Sequence, residues 1–242
     1  MILFCKTLNR VIDHCIMILF IGILFIAAIG LYNSYYLMKH AGADNYSKYH
    51  HKTVDFKKLK ALNPEVVSWL TVKGTHIDYP VVQGKTNLDY INKSVEGDYS
   101  LSGSVFLDCR NQSDFSDPYS IIYAHHMDGD VMFGELPKFE QKAFFKKHQT
   151  ATLYFPDGTQ RKLKLFACLK TDAYDNLLFN PTGIQSEMLM TTFLSYIKQK
   201  SIQYRTPKID TSSRIVALST CEDTTTDGRV MVLGILTDAM IH

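Results

Sequence analysis

The chain has 242 residues, 26 basic against 24 acidic side chains, a net charge of +2, five cysteines and 46% hydrophobic residues. So even a charge balance, with the short patches Lys57-Lys58 and Lys146-Lys147 reading as solvated helix faces, speaks against nucleic acid as a partner. A disulfide framework is excluded as well. Cys5 and Cys15 precede or open an apolar stretch, and the odd number beyond it (Cys109, Cys168, Cys221) leaves at least one thiol unpaired or bridging two chains.

The first element is that apolar stretch. No side chain from Cys15 to Met38 is charged, and at about 1.5 Å per helical residue the run is long enough to cross a hydrocarbon core of about 30 Å. The sequence therefore predicts a transmembrane signal anchor over residues 15–38. Lys6 and Arg10 precede it, so residues 1–14 are expected to be cytoplasmic, although Asp13 on that flank and Lys39 and Lys48 beyond the span pull the other way. A cleaved signal peptide is the alternative; Ala27-Ala28-Ile29-Gly30 offers small residues, but the apolar run is longer than a typical signal-peptide core and continues past them. No linker or internal repeat divides the remainder, so from about Asn45 to His242 the chain reads as one soluble domain with its own core.

Residues 39–62 form a juxtamembrane stretch, helical from about Val54 to Leu62. Asn63-Pro64-Glu65 then reads as a helix cap with proline in first position, and Val66, Val67, Trp69 and Leu70 as a short amphipathic turn that docks on the domain through Trp69. Thr75 to Val82 alternates as a strand broken by Pro80, which places it at an edge or bend. Short strands follow at Ser104 to Asp108 and Ser120 to Ala124. Leu153-Tyr154-Phe155, the turn Pro156 to Thr159, and Arg161 to Leu169 make a hairpin. Between Gly183 and Lys200 the period changes to that of a helix, with Met188, Leu189, Thr192, Phe193, Tyr196 and Ile197 on one stripe. Two last runs, Arg214 to Thr220 and Arg229 to Leu236, are apolar on both faces and so belong at the centre of a closed or half-closed barrel in a mostly β domain.

Chemistry gathers at the ends of three of these strands. Cys221 closes one run, Arg229 opens the next, and His125-His126 ends the run Ile121-Ile122-Tyr123-Ala124. A thiol, an imidazole and a fixed cation are the parts of a nucleophilic acyl-transfer site. A free thiol titrates near ~8.5 and a free imidazole near ~6.5, so at neutral pH only a minority of unassisted pairs hold thiolate and imidazolium together. That minority suffices for attack on a carbonyl, with the imidazolium giving its proton to the leaving amine. The guanidinium cannot serve as acid or base, but it can stabilise charge on the former carbonyl oxygen or pin the substrate backbone. Plainer readings stand beside these. Cys221 also reads as a buried structural thiol, and Arg229 as a surface cation paired to Glu222, Asp223 or Asp227. His125 with His126 also reads as a metal pair, which an extended chain opposes because neighbouring side chains point to opposite sides. Cys168, inside Lys164 to Leu169, reads as a small buried hydrophobe.

Three motifs carry a resemblance. Ala217-Leu218-Ser219-Thr220-Cys221 is similar to a Thr-Leu-x-Thr-Cys motif, Arg229 follows on the next strand, and Tyr123-Ala124-His125-His126 is similar to a Tyr-Gly-His-His motif. With Asn63 to Leu70, Ile77 to Gln83 and Gly103 to Asp108 added, the chain resembles the class B sortases, membrane-anchored cysteine transpeptidases of Gram-positive bacteria, over nearly the whole outer domain. The resemblance implies a mostly β fold, an eight-stranded sortase-type β-barrel with added N-terminal helices and one long helix before the seventh strand, with residues 63–242 as an extracellular catalytic domain. It implies Cys221 as nucleophile, His125 as acid/base, Arg229 as stabiliser of the intermediate or as the group that orients the sorting peptide, and Ser219, Thr220 and Glu222 as substrate-binding residues. Cleavage would follow Thr in a C-terminal sorting motif, of the Asn/Ser-Pro-x-Thr-Asn/Gly kind, by way of a thioacyl enzyme. An amine of the cell wall precursor or a pilin lysine would take over the acyl group, with surface anchoring as the first expectation. No cofactor and no metal are expected. Ala124 and Ala217 depart from the motifs without removing a reacting group.

Two rivals share these residues: a cysteine peptidase that hands the acyl group to water, and a non-catalytic membrane-tethered β-domain that binds peptides. The loop from Glu222 to Gly228 is acidic, and neutralising Glu222, Asp223 and Asp227 together is expected to change the preference among amine acceptors or its salt dependence. Unchanged kinetics with several amines would reject a role for that loop.

Overall fold

In the computed structural model the described residues are 2–208, 213–221 and 228–237, in two compact units, Met1–His40 and Ala41–His242. The first is helix α1 (Ile2–Ala41), whose central residues are apolar and exposed, as a helix made to meet lipid requires.

The second unit opens with a 3-10 turn at Ala43–Tyr49 and helix α2 (Phe56–Leu62), whose N-terminus is capped by Asp55 accepting from Lys58 N at 3.1 Å. Asn63 closes this helix instead of opening another. Its amide nitrogen donates to Tyr90 Oη at 2.8 Å and to the Val95 carbonyl at 2.9 Å, while its side-chain oxygen takes the Glu65 N–H at 2.9 Å. The expected amphipathic turn at Val66 to Leu70 is therefore a strand, β1 (Val66–Val72). Its valines and threonine favour the pleated form, and sheet partners on both sides bury five of its seven residues. Trp69 is an anchor from within the barrel wall, with Nε1 donating to Asp78 Oδ1 at 2.7 Å.

The strands that follow are β2 (Asp78–Val82), β3 (Val105–Leu107), β4 (Tyr119–Tyr123), β5 (Thr150–Tyr154), β6 (Gln160–Asp172), β7 (Ser201–Tyr204), β8 (Arg214–Cys221) and β9 (Gly228–Leu236). They form one sheet in the order β5-β1-β2-β3-β4-β8-β9-β6-β7, and the extra pairing of β5 with β6 closes eight strands into a barrel. β7 shares the β5 edge of β6, pairing at Ala167–Leu169 beyond the stretch that β5 occupies. Pro80 does not mark an edge: β2 lies between β1 and β3. Its ladder with β3 begins only at Val81, one residue past the proline that lacks an N–H.

Helix α4 (Glu187–Lys200), preceded by the short α3 (Lys142–Lys147), is capped by Ser186 and runs directly into β7. It starts later than the sequence suggested, after a 3-10 turn at Pro181–Gly183, and the stripe that packs is Phe193 and Ile197, both buried, flanked by the half-buried Met190, Leu194 and Tyr196. Met188 and Thr192 face the other way, Met188 being 74% exposed. Phe193, Tyr196 and Ile197 of the expected stripe pack on the core, whereas Met188, Leu189 and Thr192 of its first half do not, because this helix carries apolar residues on more than one face. Phe193 and Ile197 cover Tyr119 and Ile121 of β4, Ile215 and Ala217 of β8 and Met231 and Leu233 of β9, while Val216, Leu218, Val230 and Val232 belong to the other core cluster. Burial on both faces is what the unbroken apolar runs of β8 and β9 called for.

Gly103 is the tight point between β3 and the loop before it. Its φ is +59° and an added Cβ would lie 2.3 Å from the Ile91 carbonyl oxygen and 2.6 Å from that of Tyr90. Gly103→Ala is expected to destabilise the domain by about 2–4 kcal/mol, from the left-handed backbone plus the displaced carbonyls. A urea midpoint within error of the parent would contradict that packing.

Candidate active site

β8 lies between β4, to which it is parallel, and β9, to which it is antiparallel. The parallel ladder pairs Tyr123 with Ser219 and is continued by Ala124 N donating to the Ser219 carbonyl at 3.3 Å. His125 and Cys221 each lie two residues past that last pair, and Cys221 is the register partner of Arg229. Three neighbouring strands thus end in one row that carries an imidazole residue, a cysteine and an arginine. Cys221 enters this description through its backbone alone; Glu222, Asp223 and Asp227 lie outside the described residues.

A cleft of about 320 Å³ opens at this end of the barrel, and His125, Arg229, Ser219 and Thr220 all line it. His126 does not. The imidazole of His125 donates from Nε2 to the Ile91 carbonyl at 2.8 Å. A carbonyl only accepts, so the hydrogen is on Nε2 and Nδ1 is left for chemistry. Arg229 donates from Nη1 to the Gly228 carbonyl at 2.8 Å, which directs the guanidinium along the strand end. Ser219 Oγ and Thr220 Oγ1 are buried with no hydrogen-bond partner among the described residues. Buried hydroxyls at a cleft without a protein partner are suited to a ligand's amides.

Several cleft residues were not singled out from the sequence. One chain segment lines the cleft with Asn87, Leu88 and Ile91 and another with Ala173 and Phe179, two walls by chain segment, and β3 and β4 add Phe106 and Tyr123 as an aromatic floor. The Tyr123 ring lies 5.4 Å from that of Phe106 and is stacked at 6.4 Å on Phe179. Beneath them Asp108 is fully buried. Burial pushes its carboxyl up, but hydrogen bonds from Arg110 and Asn87 outweigh that and hold it below the usual carboxylate range. Burial first and Asp108 second push the Tyr123 phenol up, so it remains a donor. The available signals were Asp108-x-Arg110 at a strand end and the turn Gln83-Gly84-Lys85-Thr86 leading into Asn87.

Among the described residues one group, His76, Asp130 and Glu135, has metal-type donor atoms within 4.8 Å of one another. Lys138 Nζ already occupies it, 2.6 Å from Asp130 and 3.4 Å from Glu135. Cys168 is buried as expected, Cys109 is half-buried and Cys15 exposed.

No family model matches the chain. Sortase B of Staphylococcus aureus is 33% identical over 173 residues, 72% of this chain and 70% of that protein. A crystal structure of a Streptococcus pyogenes class B sortase involved in pilus biogenesis is 59% identical with a TM-score of 0.70, covering 76% of this chain and 98% of that one. Sortase B from the type II pilus of Streptococcus pneumoniae is 39% identical with a TM-score of 0.65, covering 76% and 98%.

Burial, then the nearby Glu140, pushes the Cys168 thiol up to about 12. Native protein treated with an alkylating reagent at pH 8 is therefore expected to keep Cys168 unmodified while Cys109 reacts, as read by peptide mass spectrometry. Equal labelling of the two would place Cys168 outside the core.

Proposed function

Since the chain belongs to the class B sortases, a family of cysteine transpeptidases, we propose that it cleaves a C-terminal sorting motif after Thr and passes the acyl group to an amine. The Cys221 thiolate attacks the Thr carbonyl carbon. The tetrahedral oxyanion is met by Arg229, and as the C–N bond breaks His125 protonates the departing amine, leaving a thioester on Cys221. An incoming primary amine then attacks that thioester and loses a proton to His125. The new amide is released and the thiolate is restored. The observation that carries this reading is the row of His125, Cys221 and Arg229 at the ends of β4, β8 and β9, of which His125 and Arg229 line one cleft. Ser219 and Thr220, with hydroxyls unpartnered among the described residues, suit the backbone of an extended donor peptide. Glu222, from the sequence pattern, is proposed to flank it.

For the acceptor, the sequence alone put the cell wall precursor first. Two relatives at 59% and 39% identity are pilus sortases by description, and they favour the ε-amine of a pilin lysine. The apolar α1 fits a membrane anchor. We place residues 1–14 in the cytoplasm, 15–38 in the bilayer, 39–62 as juxtamembrane stretch and 63–242 outside as the catalytic domain.

The full chain in detergent, incubated with Asn/Ser-Pro-x-Thr-Asn/Gly peptides, is expected to show a thioacyl adduct by mass spectrometry. Cys221→Ala abolishes it, and His125→Ala slows turnover by about 10²–10⁴-fold. A lysine-bearing peptide as added amine should divert product from hydrolysis to ligation better than a triglycine amine. Turnover that survives Cys221→Ala would refute the nucleophile, and hydrolysis unaffected by any amine would make the protein a peptidase.

A further inference from the structure

We propose that Asp108, which lies beneath the cleft and off its lining, is a positioning residue that sets the spacing of the two cleft walls and so the affinity for the donor peptide. The inference rests on the peptide-cleaving reading above. Asp108 follows β3 and its N–H donates to the Ile121 carbonyl at 2.9 Å, so its backbone is fixed to the barrel. Its carboxylate, at 0% exposure, takes donors from three places. Asn87 Nδ2 comes from one wall at 3.0 Å. Tyr123 Oη comes from the floor at 3.0 Å. Arg110 grips both oxygens, Nε to Oδ1 at 2.9 Å and Nη2 to Oδ2 at 2.7 Å, and the same Nη2 donates to the Phe179 carbonyl of the other wall at 2.9 Å.

An isolated stabilising ion pair needs one partner. This carboxylate instead joins the floor and both walls of a single cleft, and the joints are directional. Asn87 is held at both ends, because its Oδ1 accepts the Cys109 N–H at 2.8 Å, so the amide has one orientation. Four residues further along the same wall, the Ile91 carbonyl holds His125. A fork–carboxylate pair fixes angle as well as distance, so the carboxylate transmits one geometry to the surfaces that flank an extended peptide. Withdrawing the charge leaves Arg110 without its partner and lets the walls part. The chemistry at Cys221 is untouched in kind, but the donor peptide must then order the walls itself, which weakens binding.

The test uses the full chain in detergent, the same peptide library and a lysine-bearing acceptor peptide. Asp108→Asn is expected to raise KM for the donor about tenfold, the loss of charged hydrogen bonds to two walls, with kcat changed less than about threefold and the acceptor KM unchanged. Tyr123→Phe and Arg110→Lys each release one joint while keeping the Asp108 charge, and are expected to raise donor KM by about threefold each; they carry the test if Asp108→Asn does not fold. A donor KM equal to the parent's in all folded variants overturns the role of Asp108, as does a fall in kcat alone. A parent chain that forms no adduct with any library peptide overturns instead the peptide-cleaving reading.

Discussion

The placement of every proposed reacting group depends on the pairing of β8 with its two neighbours. A parallel ladder to β4 and an antiparallel ladder to β9 fix the end of β8 in register with both, and because side-chain period in a strand is two, a slip of one residue would send Cys221 to the opposite face from Arg229. The slip is resisted by burial on both faces: Val216 and Leu218 fill one cluster, Ile215 and Ala217 the other under α4. Site geometry is thus a by-product of core packing three to six residues before Cys221 along the same strand.

A second constraint is electrostatic. A fully buried carboxylate is tolerated only when its oxygens are satisfied, and Asp108 meets this with Arg110, Asn87 and Tyr123. Since its folded pKa is lowered, the stabilisation it gives is present above the ordinary carboxylate range and is lost as pH falls through the depressed value. Cleft and acid stability therefore share a residue. The same loop system relies on Gly103, where a side chain would collide with the carbonyl that orients His125.

Much of this was legible in the residues, for identifiable reasons. β4, β8 and β9 were readable because short runs of Val, Ile, Leu and Ala that are apolar on both faces fit a buried strand, and the β5–β6 hairpin because Pro156-Asp157-Gly158 is strong turn chemistry. Val66 to Leu70 is ambiguous in the sequence because Val-Val-x-Trp-Leu satisfies both periods; Asn63, bonded to Tyr90 and Val95, and the sheet partners on both sides decide for a strand. The first turn of α4 could not be phased because Met188 and Leu189 are as apolar as Phe193 and Ile197, which pack. Of the Asp108 hub only the pair Asp108-x-Arg110 is local enough to read, since the other partners come from 21 positions before it and 15 after it, and Arg110 reaches a carbonyl 69 positions on.

The bond from His125 to Ile91 has a kinetic consequence. With one ring nitrogen tied to a main-chain oxygen, the imidazole trades protons through a single port. On the proposed chemistry the departing fragment and the arriving amine must therefore visit the same spot in turn, never side by side. The first has to vacate before the second enters, and an abundant cleaved tail competes with the acceptor for that berth.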